Sequence, residues 1–309
     1  MKTETFKFKD PHGYEIFCYK WYEPEQRPRA VVQIAHGMAE HALRYEKFAG
    51  FLTAKGFIVY ANDHRGHGQT AGELGNVGYL GDDDGFEWMV KDLHQLSGII
   101  KKEYQLLPVF LFGHSMGSYI VRRYIEIFSK DINGAVLCGS GAIGMLEKIG
   151  SFLAKNEVRR NGPKTPSPKL NNLTFGSYNK KFVPNRTEFD WLSRDTEQVD
   201  KYVADKYCGG VFSCKFFYDL AQGLVNLNKM ENIKKIRTDL PLFFISGSED
   251  PVGKFSKAMP KILYRYHKAG MKDIQHRLYL GARHELLNEI NKDEVMNDIY
   301  EWIDKKISR

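Results

Sequence analysis

The run Leu107 to Gly117, L-P-V-F-L-F-G-H-S-M-G, constrains this chain more than any other stretch. Val109 to Phe112 is a short unbroken apolar segment, the pattern of a strand buried on both faces of a parallel sheet. It ends in Gly113-His114-Ser115-Met116-Gly117, and Ile120, Val121, Tyr124, Ile125 and Phe128 follow at helical spacing. Ser115 therefore stands where a strand turns sharply into a helix, flanked by glycines that let backbones pass closely. Such a G-x-S-x-G turn holds the hydroxyl above the sheet at the positive end of a helix, where a developing oxyanion is favoured. The motif alone recurs by chance; its place between this strand and this helix makes it informative.

The rest of the chain supplies the sheet that such a turn requires. Residues 3–9 and 15–22 read as two strands joined by Asp10-Pro11-His12-Gly13, pairing antiparallel at one edge. Buried strands follow at Ala30–Ala35 and Phe57–Ala61, separated by a helix carrying Tyr45, Phe48, Ala49 and Leu52 and stopped by Gly56. A long helix places Phe86, Met89, Val90, Leu93 and Ile100 on one face, and a further strand covers Ala135–Cys138. Strands alternating with amphipathic helices specify a mostly parallel, doubly wound α/β sheet with helices on both faces. Regularity stops near Gly141: residues 142–236 contain no βαβ unit, only turn-rich sequence and helical patches, and read as a helical cap insertion. The sheet resumes at Leu240–Ile245, then a helix with Phe255, Met259, Ile262 and Tyr266, a last strand near His276–Leu280 and a closing helix. The domain reading is thus a core of 1–141 and 237–309 with a cap, or lid, of 142–236.

Charge and cysteine usage narrow the partners. Of a net charge of +7, the stretch Ala154 to Arg186 holds eight basic residues against the single acid Glu157, matching the whole excess. A solvated loop or attraction to an anionic membrane surface or phosphate-bearing substrate would each explain it. No interleaved aromatic platform accompanies these charges, so nucleic acid is not expected. The first residues alternate polar and apolar rather than forming a secretory signal, and no apolar run approaches the ~20 residues of a membrane span. Cys18, Cys138, Cys208 and Cys214 have no metal-ligand spacing and read as free thiols of a reducing cytoplasm, although Cys208 and Cys214 are close enough in sequence for a regulatory disulfide. The expected localisation is cytoplasmic, with peripheral membrane contact through 154–186. Oligomeric state is not legible.

A serine hydroxyl needs a base within hydrogen-bond reach, itself oriented by a carboxylate. In a parallel sheet such groups gather at the carboxyl ends of strands, and Ser115, Asp250 and His284 each end one. Each alone is unremarkable, because a strand-end aspartate commonly caps a helix. Together, in the order Ser, Asp, His, they form a candidate catalytic triad. Glu249 competes for the acid role, but Asp250 before Pro251 fits the sharp exit better; His276 competes for the base role but starts its strand. The oxyanion hole should use the backbone N–H groups of Met116 and Met38, with His36, Glu40 and His41 shaping the second loop. Asp63-His64-x-x-His67 resembles a ligand set but is flanked by Gly66 and Gly68, so a hydrogen-bonded structural loop is expected, with no metal and no cofactor.

Taken together, H-G-M-A-E-H-A-L-R-Y (36–45), N-D-H-R-G-H-G-Q-T (62–70), G-H-S-M-G (113–117), G-S-E-D-P (247–251) and R-H-E-L (283–286) resemble the monoacylglycerol lipase and lysophospholipase branch of the serine α/β-hydrolases. The likeness covers about 30–141 and 238–309. It implies the α/β-hydrolase fold and a cofactor-independent esterase acting on a single-acyl-chain lipid ester, with Ser115, Asp250 and His284 as triad and Met38 and Met116 as oxyanion donors. Ser118 departs from the pattern, standing where a second glycine often follows, and the cap matches no motif. Its apolar positions Ile143, Leu146, Ile149 and Phe212 would either hold the acyl chain or pack the cap on the core. A short-chain or aryl esterase, thioesterase or acyltransferase on the same triad is the alternative; a non-catalytic binding protein of the fold would be expected to have lost the nucleophile or base. Dehalogenase and epoxide-hydrolase chemistry would need a carboxylate where Ser115 stands.

Overall fold

The computed structural model describes residues 1–307, so the last two residues of the 237–309 core range lie outside it. Eight strands form one sheet: β1 (Lys2–Lys9), β2 (Glu15–Tyr22), β3 (Ala30–Ala35), β4 (Phe57–Asn62), β5 (Val109–His114), β6 (Gly134–Cys138), β7 (Leu242–Gly247) and β8 (Ile274–Tyr279). Their spatial order is β1-β2-β4-β3-β5-β6-β7-β8. β1 pairs antiparallel with β2, and β2 antiparallel with β4, while every later pairing is parallel. Five of the six inner strands, β3 to β7, are buried along their whole length, which is why they read as continuous apolar runs. The two edges differ: β1 alternates, and β8 exposes Gln275, His276 and Arg277, polar side chains that discourage edge-to-edge pairing.

The helices are α1 (Glu46–Thr53), α2 (Gly68–Ala71), α3 (Gly85–Glu103), α4 (Met116–Phe128), α5 (Met145–Asn161), α6 (Pro168–Phe175), α7 (Thr196–Ala204), α8 (Cys214–Leu227), α9 (Met230–Ile233), α10 (Met259–Lys268) and α11 (Lys292–Ile307). Phe86, Met89 and Leu93 of α3 join Ile120, Val121 and Tyr124 of α4 and Ile262 and Tyr266 of α10 in the core on one face of the sheet. Phe48 and Leu52 of α1 join Val295, Ile299 and Trp302 of α11 on the other. Each face is thereby sealed, and truncating a side chain such as Trp302 should cost about 3–5 kcal/mol.

Two local expectations are revised. The helix anticipated from Phe255 starts only at Met259, because Lys254, Phe255 and Ser256 take positive φ (51°, 54° and 68°) in a left-handed turn leaving Pro251. In α5 the apolar positions face the other way from expectation. Its buried residues are Ser151, Ala154 and Glu157, packed toward α8, while Leu146 and Ile149 are 67% and 50% exposed. Ser151 and Ala154 permit close helix contact and Leu153 packs against the core, while Leu146 and Ile149 are left on the outside.

Between β6 and β7 the chain leaves the sheet for the whole of α5 to α9. Part of this excursion, from Asn171 to Val211, lies over the carboxyl ends of β3 and β5 and closes a cavity there.

Candidate active site

Ser115 links β5 to α4 with φ 51° and ψ −118°, a conformation a non-glycine residue holds only when its surroundings enforce it. Those surroundings are tight. A Cβ on Gly113 would lie 2.6 Å from the Gly117 carbonyl oxygen, and one on Gly117 would lie 2.6 Å from that of His36. The Ser115 N–H donates to the Cys138 carbonyl (2.9 Å), tying the turn to the next strand. Ser118 uses its hydroxyl to donate to the Ser115 carbonyl at 2.6 Å, a bond that a glycine could not make.

Asp250 follows β7 and His284 follows β8, and His284 Nδ1 stands 2.9 Å from Asp250 Oδ1. Both side chains are buried, His284 at 2% exposure and Asp250 at 0%. Because a carboxylate only accepts, Nδ1 carries the proton and the Nε2 lone pair is left for another partner. Asp250 Oδ1 also accepts the Val252 N–H (2.9 Å), whereas its Oδ2 is buried without a partner among the described residues. Ser115 and His284 line one cavity of about 720 Å³. The rejected competitors lie elsewhere: Glu249 is half exposed and pairs with Lys181, and His276 is exposed on the edge strand.

The loop after β3 forms the opposite wall. Met38 lines the cavity, and the N–H groups of Met38 and Met116 have no protein acceptor among the described residues. Glu40 braces this loop from below. Its Oε1 accepts from the Gly37 N–H, from the Tyr45 hydroxyl (2.8 Å) and from His114 Nδ1 (3.1 Å), while Oε2 accepts from Arg44 (2.6 Å). Arg44 then forms a two-pronged bond to Glu285 at 2.7 and 2.8 Å. Burial would push the Glu40 carboxyl up, but the His114 bond and the Arg44 charge hold it well below its ordinary range. Burial likewise opposes charge on His114, yet Glu40 raises it above the usual value. One buried network thus joins the β3 loop, the residue before Ser115 and the residue after His284.

His36, His64 and His67 cluster behind this wall, with His36 and His64 ring centroids 4.1 Å apart. His36 donates from Nδ1 to the Gly37 carbonyl (2.8 Å) and accepts the His64 N–H at Nε2 (2.9 Å), which fixes its tautomer. Burial pushes His64 down to about 3 and His67 down to about 4, so both are neutral bases in the fold. Asp63 knits the loop by accepting the Ala42 and Gln69 N–H groups at 2.8 and 2.7 Å. Donor atoms converge instead at His41, Asp205 and Cys208, within 4.8 Å of one another, although His41 and Asp205 already bond each other at 2.8 Å. All four cysteines are free thiols.

The wall facing the sheet comes from the excursion, but not from the apolar positions singled out in its sequence. Ile143, Leu146, Ile149 and Phe212 do not line the cavity. Leu146 and Ile149 point to solvent, and Phe212 is fully buried against His67 (ring centroids 4.9 Å) and Phe216 (4.5 Å). The lining is instead mixed: Phe175, Phe189, Trp191, Leu192 and Val211 beside Asn171, Asn172, Asn179, Asn185, Arg186 and Thr187. Asn171, Asn172 and Phe175 belong to α6, but the others lie in the irregular segments between α6, α7 and α8, where spacing carries no facing information.

A sealed, mostly parallel sheet with a strained serine turn and a buried imidazole–carboxylate pair at its carboxyl edge defines an α/β-hydrolase. Comparison with known proteins narrows this class. The family model Hydrolase_4, described as serine aminopeptidase, S33, matches residues 26–291, and the chain belongs to that family. The monoacylglycerol lipase of Mycolicibacterium smegmatis is 30% identical over 92% of this chain and 91% of its own. The monoglyceride lipase of Homo sapiens is 28% identical over 96% of this chain and 88% of its own. Among solved structures, a thermostable carboxyl esterase from Bacillus coagulans in complex with glycerol superimposes with a TM-score of 0.92 at 28% identity, covering 99% of both chains. The chain is a carboxylic ester hydrolase.

Proposed function

We propose that this enzyme cleaves monoacylglycerols through an acyl-enzyme, with Ser115 as nucleophile, His284 as general base and acid, and Asp250 as the orienting carboxylate. Ser115 Oγ attacks the ester carbonyl as His284 Nε2 takes its proton, and the imidazolium faces the Asp250 charge at 2.9 Å. The oxyanion accepts from the Met38 and Met116 N–H groups. His284 then protonates the departing glycerol oxygen, and water activated by the neutral ring frees the fatty acid. The observation that carries the reading is the shared cavity: it brings Ser115, His284 and Met38 under one mixed apolar and amide-rich wall, suited to one acyl chain and a polyol. The names of the relatives favour the same substrate. In this reading residues 142–236 act as the cap over the core.

Membrane contact belongs to the same proposal. Among the described residues no helix is long and apolar enough to cross a bilayer. Met145, Leu146, Ile149 and Phe152 are each at least half exposed on α5, beside the basic stretch 154–186. That combination suits an anionic lipid surface on which the substrate resides.

A fluorophosphonate should label Ser115, and Ser115→Ala should abolish both labelling and turnover; turnover persisting in that variant refutes the assignment. A panel of monoacylglycerols, lysophospholipids, aryl esters and acyl thioesters of graded chain length then tests the substrate. Monoacylglycerols should show the highest kcat/KM, and a higher value for any other class would replace this reading.

A further inference from the structure

We propose that Trp191, contributed by the excursion between β6 and β7, is a positioning residue for His284: its indole covers one side of the imidazole, holds the ring toward Asp250 and Ser115, and faces the positive charge when the serine proton arrives. This rests on the ester-hydrolase reading above. The ring centroids lie 5.1 Å apart at an interplanar angle of 38°. Trp191 is itself only 7% exposed. Tyr178 packs against it edge-on with centroids 4.9 Å apart, and the Trp191 backbone N–H donates to Asn179 Oδ1 at 2.8 Å.

The backbone shows that the pairing is built. The residues flanking His284 bind the carbonyls flanking Trp191. Arg283 donates from Nη1 to the Asp190 carbonyl (2.6 Å) and the Ser193 carbonyl (3.1 Å). The Glu285 N–H donates to the Leu192 carbonyl at 2.7 Å. Two short loops from distant parts of the chain are thus locked in register with the indole opposite the imidazole.

During acylation the proton leaves Ser115 Oγ for His284 Nε2, and it leaves again with the alcohol oxygen. Within the catalytic cycle the imidazolium exists only between these transfers. An aromatic face on such a cation stabilises it by about 0.5–2 kcal/mol, a factor of roughly 2 to 30 in rate. The other charged or titratable groups facing His284 are Asp250 at Nδ1, His114 with its ring 4.8 Å away, and behind them Glu40, Arg44 and Glu285. None of these bonds Trp191.

A soluble acetate ester, too short to depend on the cavity walls, separates positioning from substrate contact. Trp191→Ala should lower kcat on it about 10-fold with KM nearly unchanged, and Trp191→Phe should restore most of the rate. The emission of Trp191, isolated by subtracting the Trp191→Phe spectrum, supplies a readout independent of turnover, because a protonated imidazole in ring contact quenches an indole. It should brighten with rising pH, in step with the acid limb of kcat/KM; the titration should persist in Ser115→Ala and vanish in His284→Gln. A Trp191→Ala variant with unchanged kcat on the acetate ester, or a difference emission that does not titrate, overturns the proposal. Turnover surviving in Ser115→Ala would instead overturn the hydrolase assignment, leaving the emission result to be judged alone.

Discussion

Gly117→Ala tests how the oxyanion wall is built. Gly117 sits in the first turn of α4 without a positive φ, so alanine fits its backbone, and alanine is the better helix former by about 1 kcal/mol. The obstacle is purely contact: the added Cβ would overlap the Ala35 carbonyl oxygen and approach that of His36 to 2.6 Å. Ordinary carbon–oxygen contact needs about 3.3 Å, so α4 and the end of β3 must separate by on the order of 1 Å. Overpacking against backbone lies at the upper end of about 1–3 kcal/mol, leaving a net destabilisation of about 2 kcal/mol. The functional loss should be larger, because α4 carries Ser115 and the Met116 N–H while β3 leads into Met38. Moving the two proposed oxyanion donors apart by this distance should lower kcat/KM about 100-fold. Gly98→Ala, in α3 with nothing within 4 Å of the added Cβ, is the internal control and should stabilise by about 0.5–1 kcal/mol with activity unchanged. Urea melts and acetate-ester kinetics on both variants suffice. If Gly117→Ala is as stable and active as the wild type, the close approach does not set the oxyanion geometry.

Three further outcomes are expected. The folded pKa values of His64 and His67, about 3 and about 4, lie below the unfolded value near 6.5, so their contribution is full above pH 6.5 and shrinks as pH falls toward 4. Urea melts should show little change from pH 7.5 to 6.5 and then a decline near 1 kcal/mol per pH unit for each histidine down to pH 5, smaller by one such share in a His64→Gln variant. Glu40→Gln removes the counter-charge of His114 and one partner of Arg44, and should destabilise by about 3 kcal/mol while lowering kcat more than it raises KM. Replacing Met145, Leu146, Ile149 and Phe152 with serine should reduce activity on monoacylglycerol in anionic vesicles several-fold, leaving soluble acetate-ester hydrolysis intact.

What could be read from the chain alone was whatever depends on neighbours in sequence. The strands were legible because full burial demands continuous apolar runs, as at Val109–Phe112, and the strand-to-helix turn at Ser115 because two glycines must flank it. The sharp exit at Pro251 also favoured Asp250 over Glu249, and it is Asp250 that His284 bonds. Tertiary structure decided the rest. The facing of α5 follows from which side α8 presses, so Leu146 and Ile149 could be named apolar but not placed. The bond from Arg44 to Glu285 joins residues that no spacing relates, and Trp191 reaches His284 only because Arg283 and Glu285 grip the carbonyls beside it. Local periodicity reports whether a side chain is buried; which partner it is buried against is set by the packing of the whole chain.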